Sequence, residues 1–204
     1  MRGIAIYLEG GGDSTAQKAR LRQGMGEFLS VLREQARARR LRWKIVACGG
    51  RNAAQDAFVN AVETDQDTFC VLLVDSEDQI STSPIDHLRA RDGWALAGIR
   101  VDQIHLMVCT MESWLVADPD ALARYYGKGF RKDALPPALD LESVSKADVA
   151  RALEDATRDT QKGRYHKTQH GSELLRRADQ ERSQQRCGHC RRLFERLSAV
   201  IQAP

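Results

Sequence analysis

Acidic residues gather where the chain leaves an apolar run. Leu8 is followed by Glu9-Gly10-Gly11-Gly12-Asp13, and Val74 by Asp75-Ser76-Glu77-Asp78. Three acids within four residues, directly behind a wholly apolar stretch, are electrostatically costly in a compact site. Close carboxylates raise one another's pKa unless a cation stands between them. Asp75 and Glu77 are two apart and share a side in extended geometry. Oxygen donors of this kind suit a hard divalent ion, and Mg²⁺ is usually held by one or two carboxylates together with substrate phosphates. Another carboxylate, Glu112, follows Cys109-Thr110-Met111 at the end of a further apolar run. Each acid also has a plainer reading. Asp13 or Ser14 would cap a helix, as would Asp78, and Glu112 would carry the first-turn charge of the next helix.

Basic residues supply the other half of the chemistry. Gly49-Gly50-Arg51-Asn52 reads as a bend presenting one guanidinium, whose fork of donors suits phosphate; a helix-start salt bridge would explain Arg51 equally well. Tyr165-His166-Lys167-Thr168-Gln169-His170-Gly171 is polar and partly basic. In it Lys167 could offset charge developing on phosphorus, and His166 or His170 could contact phosphate or shuttle a proton. The same stretch would also serve as a surface loop leading into a helix. The glycines after Leu8 are followed by no Gly-Lys-Ser/Thr, so a nucleotide-phosphate loop is not expected. Cys187-Gly-His-Cys190 is a lone C-x-x-C without the second pair that a structural zinc site needs. Zinc at Cys187 and Cys190 is therefore not expected, although His166-x₃-His170 has the spacing of a pair.

Four short apolar runs read as the strands that position these groups: Gly3–Leu8, Arg42–Ala47, Thr68–Val74 and Gln103–Cys109. Thr68–Val74 is continuously apolar, as in a strand covered on both faces. Helical patterns lie between them, over Thr15–Arg40, Asn52–Glu63 and Pro84–Arg91. The order β-α-β-α-β-α-β predicts an α/β fold with a mostly parallel sheet of about four strands, with ligands gathering outside the carboxyl ends of the strands. Short helices are expected over Glu112–Ala117 and Asp120–Tyr126, a loop over Gly127–Asp140, and a helix capped by Ser145 running to about Arg158. Gly163–Gly171 reads as a loop, with helices near Ser172–Asp179 and Cys190–Ile201. The expected organisation is an α/β core over residues 1–118 and a helical extension over 119–204 packed on it.

The net charge of +3 is unevenly spread. Residues 158–204 carry eleven Lys/Arg against five Asp/Glu, a surplus of six, which leaves the rest at −3. A basic rear beside an acidic front suits anion contact behind and cation contact in front, although a solvated helical face is the simpler account of such a run. The arginine-rich stretch Arg33–Lys44 is read the same way, with sequence-independent nucleic-acid contact as the alternative. No apolar run approaches the roughly 18–20 residues of a membrane span, and no N-terminal stretch reads as a secretory signal. Five cysteines, several inside apolar runs, suit reduced thiols and a cytoplasmic setting.

Taken together these residues resemble the TOPRIM domain of topoisomerases, bacterial primases and OLD-type nucleases. That family places a Glu after its first strand, here Glu9, and an Asp-x-Asp after its third, here Asp75-Ser76-Glu77 with Glu in place of the second Asp. OLD-type nucleases extend the first motif to Glu-x-x-x-Asp, matched by Glu9 and Asp13, and add a later acid and a lysine, for which Glu112 and Lys167 are candidates. The segments L-E-G-G-G-D, G-G-R-N-A-A, L-V-D-S-E-D, M-E-S-W-L-V-A-D and Y-H-K-T-Q-H-G-S-E-L-L resemble a domain-of-unknown-function family of small TOPRIM-fold proteins. Its members are often encoded beside an AAA/ABC-type ATPase in a phage-defence setting. The resemblance implies a Mg²⁺-dependent nuclease, with Mn²⁺ as a substitute ion, acting on DNA or RNA with a partner ATPase. Its metal ligands would come from Glu9, Asp13, Asp75, Glu77, Asp78 and Glu112. Glu9, Asp75, Glu77 and Lys167 would be catalytic, and Arg51, His166, Lys167 and His170 would contact phosphate. The alternative is a non-catalytic sensor or adaptor that binds metal with a nucleotide or RNA and docks on an ATPase; a homo-oligomer is compatible with either.

Overall fold

The structure is a computed structural model and describes residues 1–203. Four strands, β1 (Gly3–Glu9), β2 (Arg42–Gly49), β3 (Thr68–Asp75) and β4 (Ile104–Met107), form one all-parallel sheet in the order β2-β1-β3-β4. β3 is buried along almost its whole length, as its unbroken apolar sequence requires. β2, at the edge, is partly exposed. β4 is shorter than its apolar run. Gln103 belongs to the preceding 3₁₀ turn, and Cys109 turns the chain away with φ 56°.

The connections set where a ligand can lie. From β1 the chain passes through α1 (Thr15–Phe28) and α2 (Ser30–Ala38) to β2 on one side, and then through α3 (Arg51–Thr64) to β3 on the other. α4 (Pro84–Asp92) then leads to β4. α1 and α2 pack on one face of the sheet, and α3 and α4 on the other. The order thus reverses between β1 and β3, and in doubly wound sheets the crevice opens at the carboxyl ends of the two strands flanking that switch point. Glu9 and Asp75 are the last residues of those two strands.

One continuous helix over Thr15–Arg40 was expected, because Leu21, Met25, Phe28, Leu29 and Leu32 keep helical spacing. The chain instead breaks at Leu29, whose ψ of 17° ends α1 and starts α2. Gly24 and Gly26 weaken the last turn of α1, and Leu29 and Leu32 stay fully buried after the break.

Beyond β4 come α5 (Glu112–Val116), α6 (Pro119–Tyr126), α7 (Lys146–Thr157), α8 (Ser172–Arg177), α9 (Gln180–Arg186) and α10 (Gly188–Gln202). Side chains from α5–α8 and α10 share one buried cluster with α1, α2 and one face of the sheet. α9 falls on a polar stretch with no apolar stripe and was not anticipated; Asp179 caps it, and Ser183 hydrogen-bonds the Trp114 carbonyl. The stretch read as a loop over Gly163–Gly171 ends in a π-helical turn, Lys167–Gly171, that runs straight into α8. Among the described residues no helix is long and apolar enough to cross a membrane.

Candidate functional site

The parallel register, Leu8 against Leu73, brings the ends of β1 and β3 level. Glu9 Oε2 therefore lies 3.3 Å from the backbone nitrogen of Asp75 and accepts its hydrogen bond. The chain leaves β1 through Gly10, Gly11 and Gly12, all with positive φ (109°, 86° and 58°). Gly10 exchanges two backbone hydrogen bonds with Gly49, and a Cβ on Gly11 would stand 2.9 Å from Lys18 Cα. Only glycine permits this path, and it folds the loop back on α1 to make one wall of a cleft. That cleft, about 180 Å³, is also lined by Asp75, Met111, Lys167 and Ser172.

Asp75 is almost fully buried. Its Oδ1 accepts from the Met111 backbone at 2.8 Å, and its Oδ2 from Lys167 Nζ at 2.9 Å. The same ammonium lies 3.3 Å from Glu112 Oε2. Glu112, also buried, accepts from the hydroxyls of Thr110 and Tyr165. Burial works against its charge, but Lys167 and the two hydroxyls hold its carboxyl below the ordinary range. Asp75 goes the other way, because burial outweighs Lys167 and raises it. Glu9 is also raised, by burial and by Asp75, against the pull of Arg51. Lys167 is held well above its usual range: burial disfavours its charge, and Asp75 and Glu112 more than restore it.

Arg51, the first residue of α3, clamps the other side. Its Nε and Nη2 each reach Asp92 at 2.8 Å, and Nη1 contacts Glu9 Oε2 at 2.9 Å and the Asp75 carbonyl. Its guanidinium lies 5.1 Å from the centre of the Trp94 ring. So positioned, Arg51 orients Glu9. Glu77 sits at φ 69° and is bound by Lys146, the first residue of α7. On the far side of Lys167 a second cavity, about 230 Å³, is lined by Glu112, Lys146, Glu154 and His166.

Glu9, Asp75, Glu112, Lys167 and Arg51 thus meet in one network, with Glu77 at its margin. Four of the anticipated residues do not join it. Asp13 is exposed, and Ser14 caps α1 by accepting from the Gln17 amide. Asp78 is exposed, with Arg91 Nε 4.0 Å from its carboxylate. His170 is buried, and its Nδ1 contacts the Tyr126 hydroxyl and accepts from the His166 amide, both at 3.1 Å. Burial lowers its pKa, which suits a neutral packing histidine. His166 is exposed and interacts with Thr168. Cys187 and Cys190 are both fully buried at the start of α10, with thiol pKa values pushed up by burial.

Sequence reasoning passed over Lys146, Asp92 and Tyr165. Two of them carried a signal. Lys146 is a cation in the first turn of a helix, and Asp92 an anion in the last; each opposes the helix dipole unless a tertiary partner compensates. Glu77 and Arg51 are those partners. Among the described residues no three His, Cys, Asp or Glu side chains stand close enough to enclose an ion by themselves.

The family described as domain of unknown function (DUF4276) matches residues 8–198. No curated protein matches the chain, and no solved structure does.

Proposed function

The chain belongs to the DUF4276 family, and from the site at its strand ends we propose that it is a Mg²⁺-dependent nuclease of the TOPRIM type, cleaving phosphodiester bonds. The observation that carries this reading is the meeting of Glu9 and Asp75 at the switch point of the sheet, with both carboxyls still raised despite the neighbouring Arg51 and Lys167. Burial is the larger cause of both shifts, and a cation between the two acids would offset its cost. Their oxygens suit Mg²⁺, whose remaining positions are usually filled by water and phosphate oxygens; Mn²⁺ accepts the same donors.

Glu9 and Asp75 would hold the ion, with Glu77 close enough to Glu9 to be felt electrostatically. When bound, such an ion polarises the phosphate and lowers the pKa of a coordinated water. Lys167, kept charged by Asp75 and Glu112, is half exposed and can offset negative charge on a phosphate in the cleft. Glu112 and Tyr165 fix the direction of that lysine, and Arg51 fixes Glu9. Met111 and the glycine loop form part of the cleft wall. Control by a partner AAA/ABC-type ATPase, in phage defence, belongs to the same proposal and rests on the resemblance alone.

A second reading has one observation in its favour: Glu9, Asp75, Glu77 and Glu112 each already have a cationic partner. On that reading the protein is a non-catalytic sensor or adaptor that binds a nucleotide or RNA for an ATPase. Incubating the purified protein with plasmid, single-stranded DNA and tRNA in Mg²⁺ or Mn²⁺, with and without the partner ATPase, separates the two. The nuclease reading expects cleavage that Asp75→Asn abolishes while the circular dichroism spectrum is retained. No product in any arm would overturn it in favour of the adaptor.

A further inference from the structure

The acidic cleft opens onto a groove of opposite character. A cavity of about 320 Å³ lies between α1 and the π-helical turn that leads into α8, and it shares Thr168 and Ser172 with the cleft. Arg20 and Arg176 line it, with Tyr125 from α6 in its wall. Lys162 Nζ lies 5.0 Å and Arg177 Cζ 5.7 Å from the centre of the Tyr125 ring. Glu173 is the acid of the groove and is paired with both Arg176 and Arg177. Two cations in the lining and two more at the Tyr125 ring thus stand against one acid. The groove's geometry is fixed by Gly24: a Cβ there would meet the Ser172 carbonyl oxygen at 2.3 Å, so α1 and α8 touch backbone to backbone. The Tyr125 ring is itself braced edge-on against Tyr126, at 4.9 Å and 89°.

We infer that this groove holds the stretch of single-stranded nucleic acid flanking the phosphate in the cleft, with a base stacked at Tyr125 and the backbone passing Arg20 and Arg176. A partly exposed aromatic among mobile cationic side chains is the combination that binds single strands, because every unpaired base offers a face to stack, in place of a lysine or arginine now over the ring, and every nucleotide a phosphate. In a duplex those faces are already covered. The inference deepens the nuclease reading and rests on it for the role of the cleft. Binding in the groove, however, needs neither metal nor cleavage.

The test is fluorescence anisotropy in EDTA, where no divalent ion is free. It uses a labelled DNA strand, the RNA of the same sequence and the DNA duplex. The strands are expected to bind more tightly than the duplex. Tyr125→Leu, which keeps an apolar contact with Tyr126, should weaken strand binding by about tenfold, the cost of losing one stacked base. Arg20→Ala, at an exposed position, should weaken it and reduce the salt slope by about 0.7, the loss of one single-strand phosphate contact. Absence of strand binding, equal duplex binding, or indifference to both substitutions would overturn the inference. Cleavage in Mg²⁺ that survives such a result would leave the nuclease reading standing. Groove-dependent binding without cleavage would remove that reading and leave the groove.

Discussion

Lys167 Nζ lies 2.9 Å from Asp75 Oδ2, across 92 residues of sequence. The contact ties the end of β3 to the π-helical turn before α8. It places an ammonium between two buried acids, because Glu112 is 3.3 Å away on the other side. Removing one partner of a buried ion pair leaves the other charge uncompensated.

Lys167→Met should therefore destabilise the protein at neutral pH. A fully buried pair broken in this way loses about 3–5 kcal/mol. Because the lysine is half exposed, about 1–3 kcal/mol is expected after screening. Added Mg²⁺ or Mn²⁺ should raise the melting temperature of this variant more than that of the wild type, since the ion replaces the lost positive charge. Thermal melts with and without the ion measure both effects.

Gly24→Ala should separate α1 from α8, because its methyl group would stand 2.3 Å from the Ser172 carbonyl oxygen and backbone on both sides resists moving. Overpacking of this kind costs about 1–3 kcal/mol, which chemical denaturation would register as a lower midpoint with an unchanged slope.

His105 should give the fold an acid weakness. It is fully buried on β4; its Nε2 faces the Asp102 carbonyl at 3.2 Å, and its Nδ1 faces Arg192 of α10 at 3.5 Å. Burial, then Arg192, pushes its pKa down to about 3, with His189 adding to the push and Asp102 opposing it. The folded value lies below the unfolded one of about 6.5, so the unfolded chain takes up the proton first. Stability from this residue is intact above that pH and falls by up to about 1.4 kcal/mol per unit as the pH drops toward the folded value. His105→Gln should flatten the dependence of stability on pH over that window in denaturant titrations.

On the nuclease reading, Arg51→Lys should impair cleavage without matching the effect of losing Asp75. The guanidinium spans Asp92, Glu9 and the Asp75 carbonyl at once, and a lysine cannot reproduce that fork. Glu9 would lose its fixed orientation, so a fall in kcat is expected with little change in strand binding measured in EDTA.

The parts of this arrangement that could be read from sequence are those set by local pattern. β3 ends in an acid behind an unbroken apolar run, and the alternation of strands and helices implies a parallel sheet whose carboxyl edge collects ligands; Glu9, Asp75 and Glu112 follow from that. Asp13 was a weaker choice, because Ser14 next to it is an equally good cap and is the residue that caps α1. His170 read as exposed because its neighbours are polar, and only the packing of Tyr126 and the π-helical turn buries it. Lys146 and Asp92 oppose their helix dipoles, which marks each as needing a partner but does not say which. Their partners, Glu77 and Arg51, lie 69 and 41 residues away, and no local periodicity records such a pairing.

The most direct measurement is calorimetric titration of Mn²⁺ into the wild type, Glu9→Gln and Asp75→Asn, with folding of each checked by circular dichroism. If the ends of β1 and β3 jointly hold a divalent ion, the wild type binds Mn²⁺ and each single substitution abolishes or severely weakens that binding. Undiminished binding in both variants, or none in the wild type, would contradict the account.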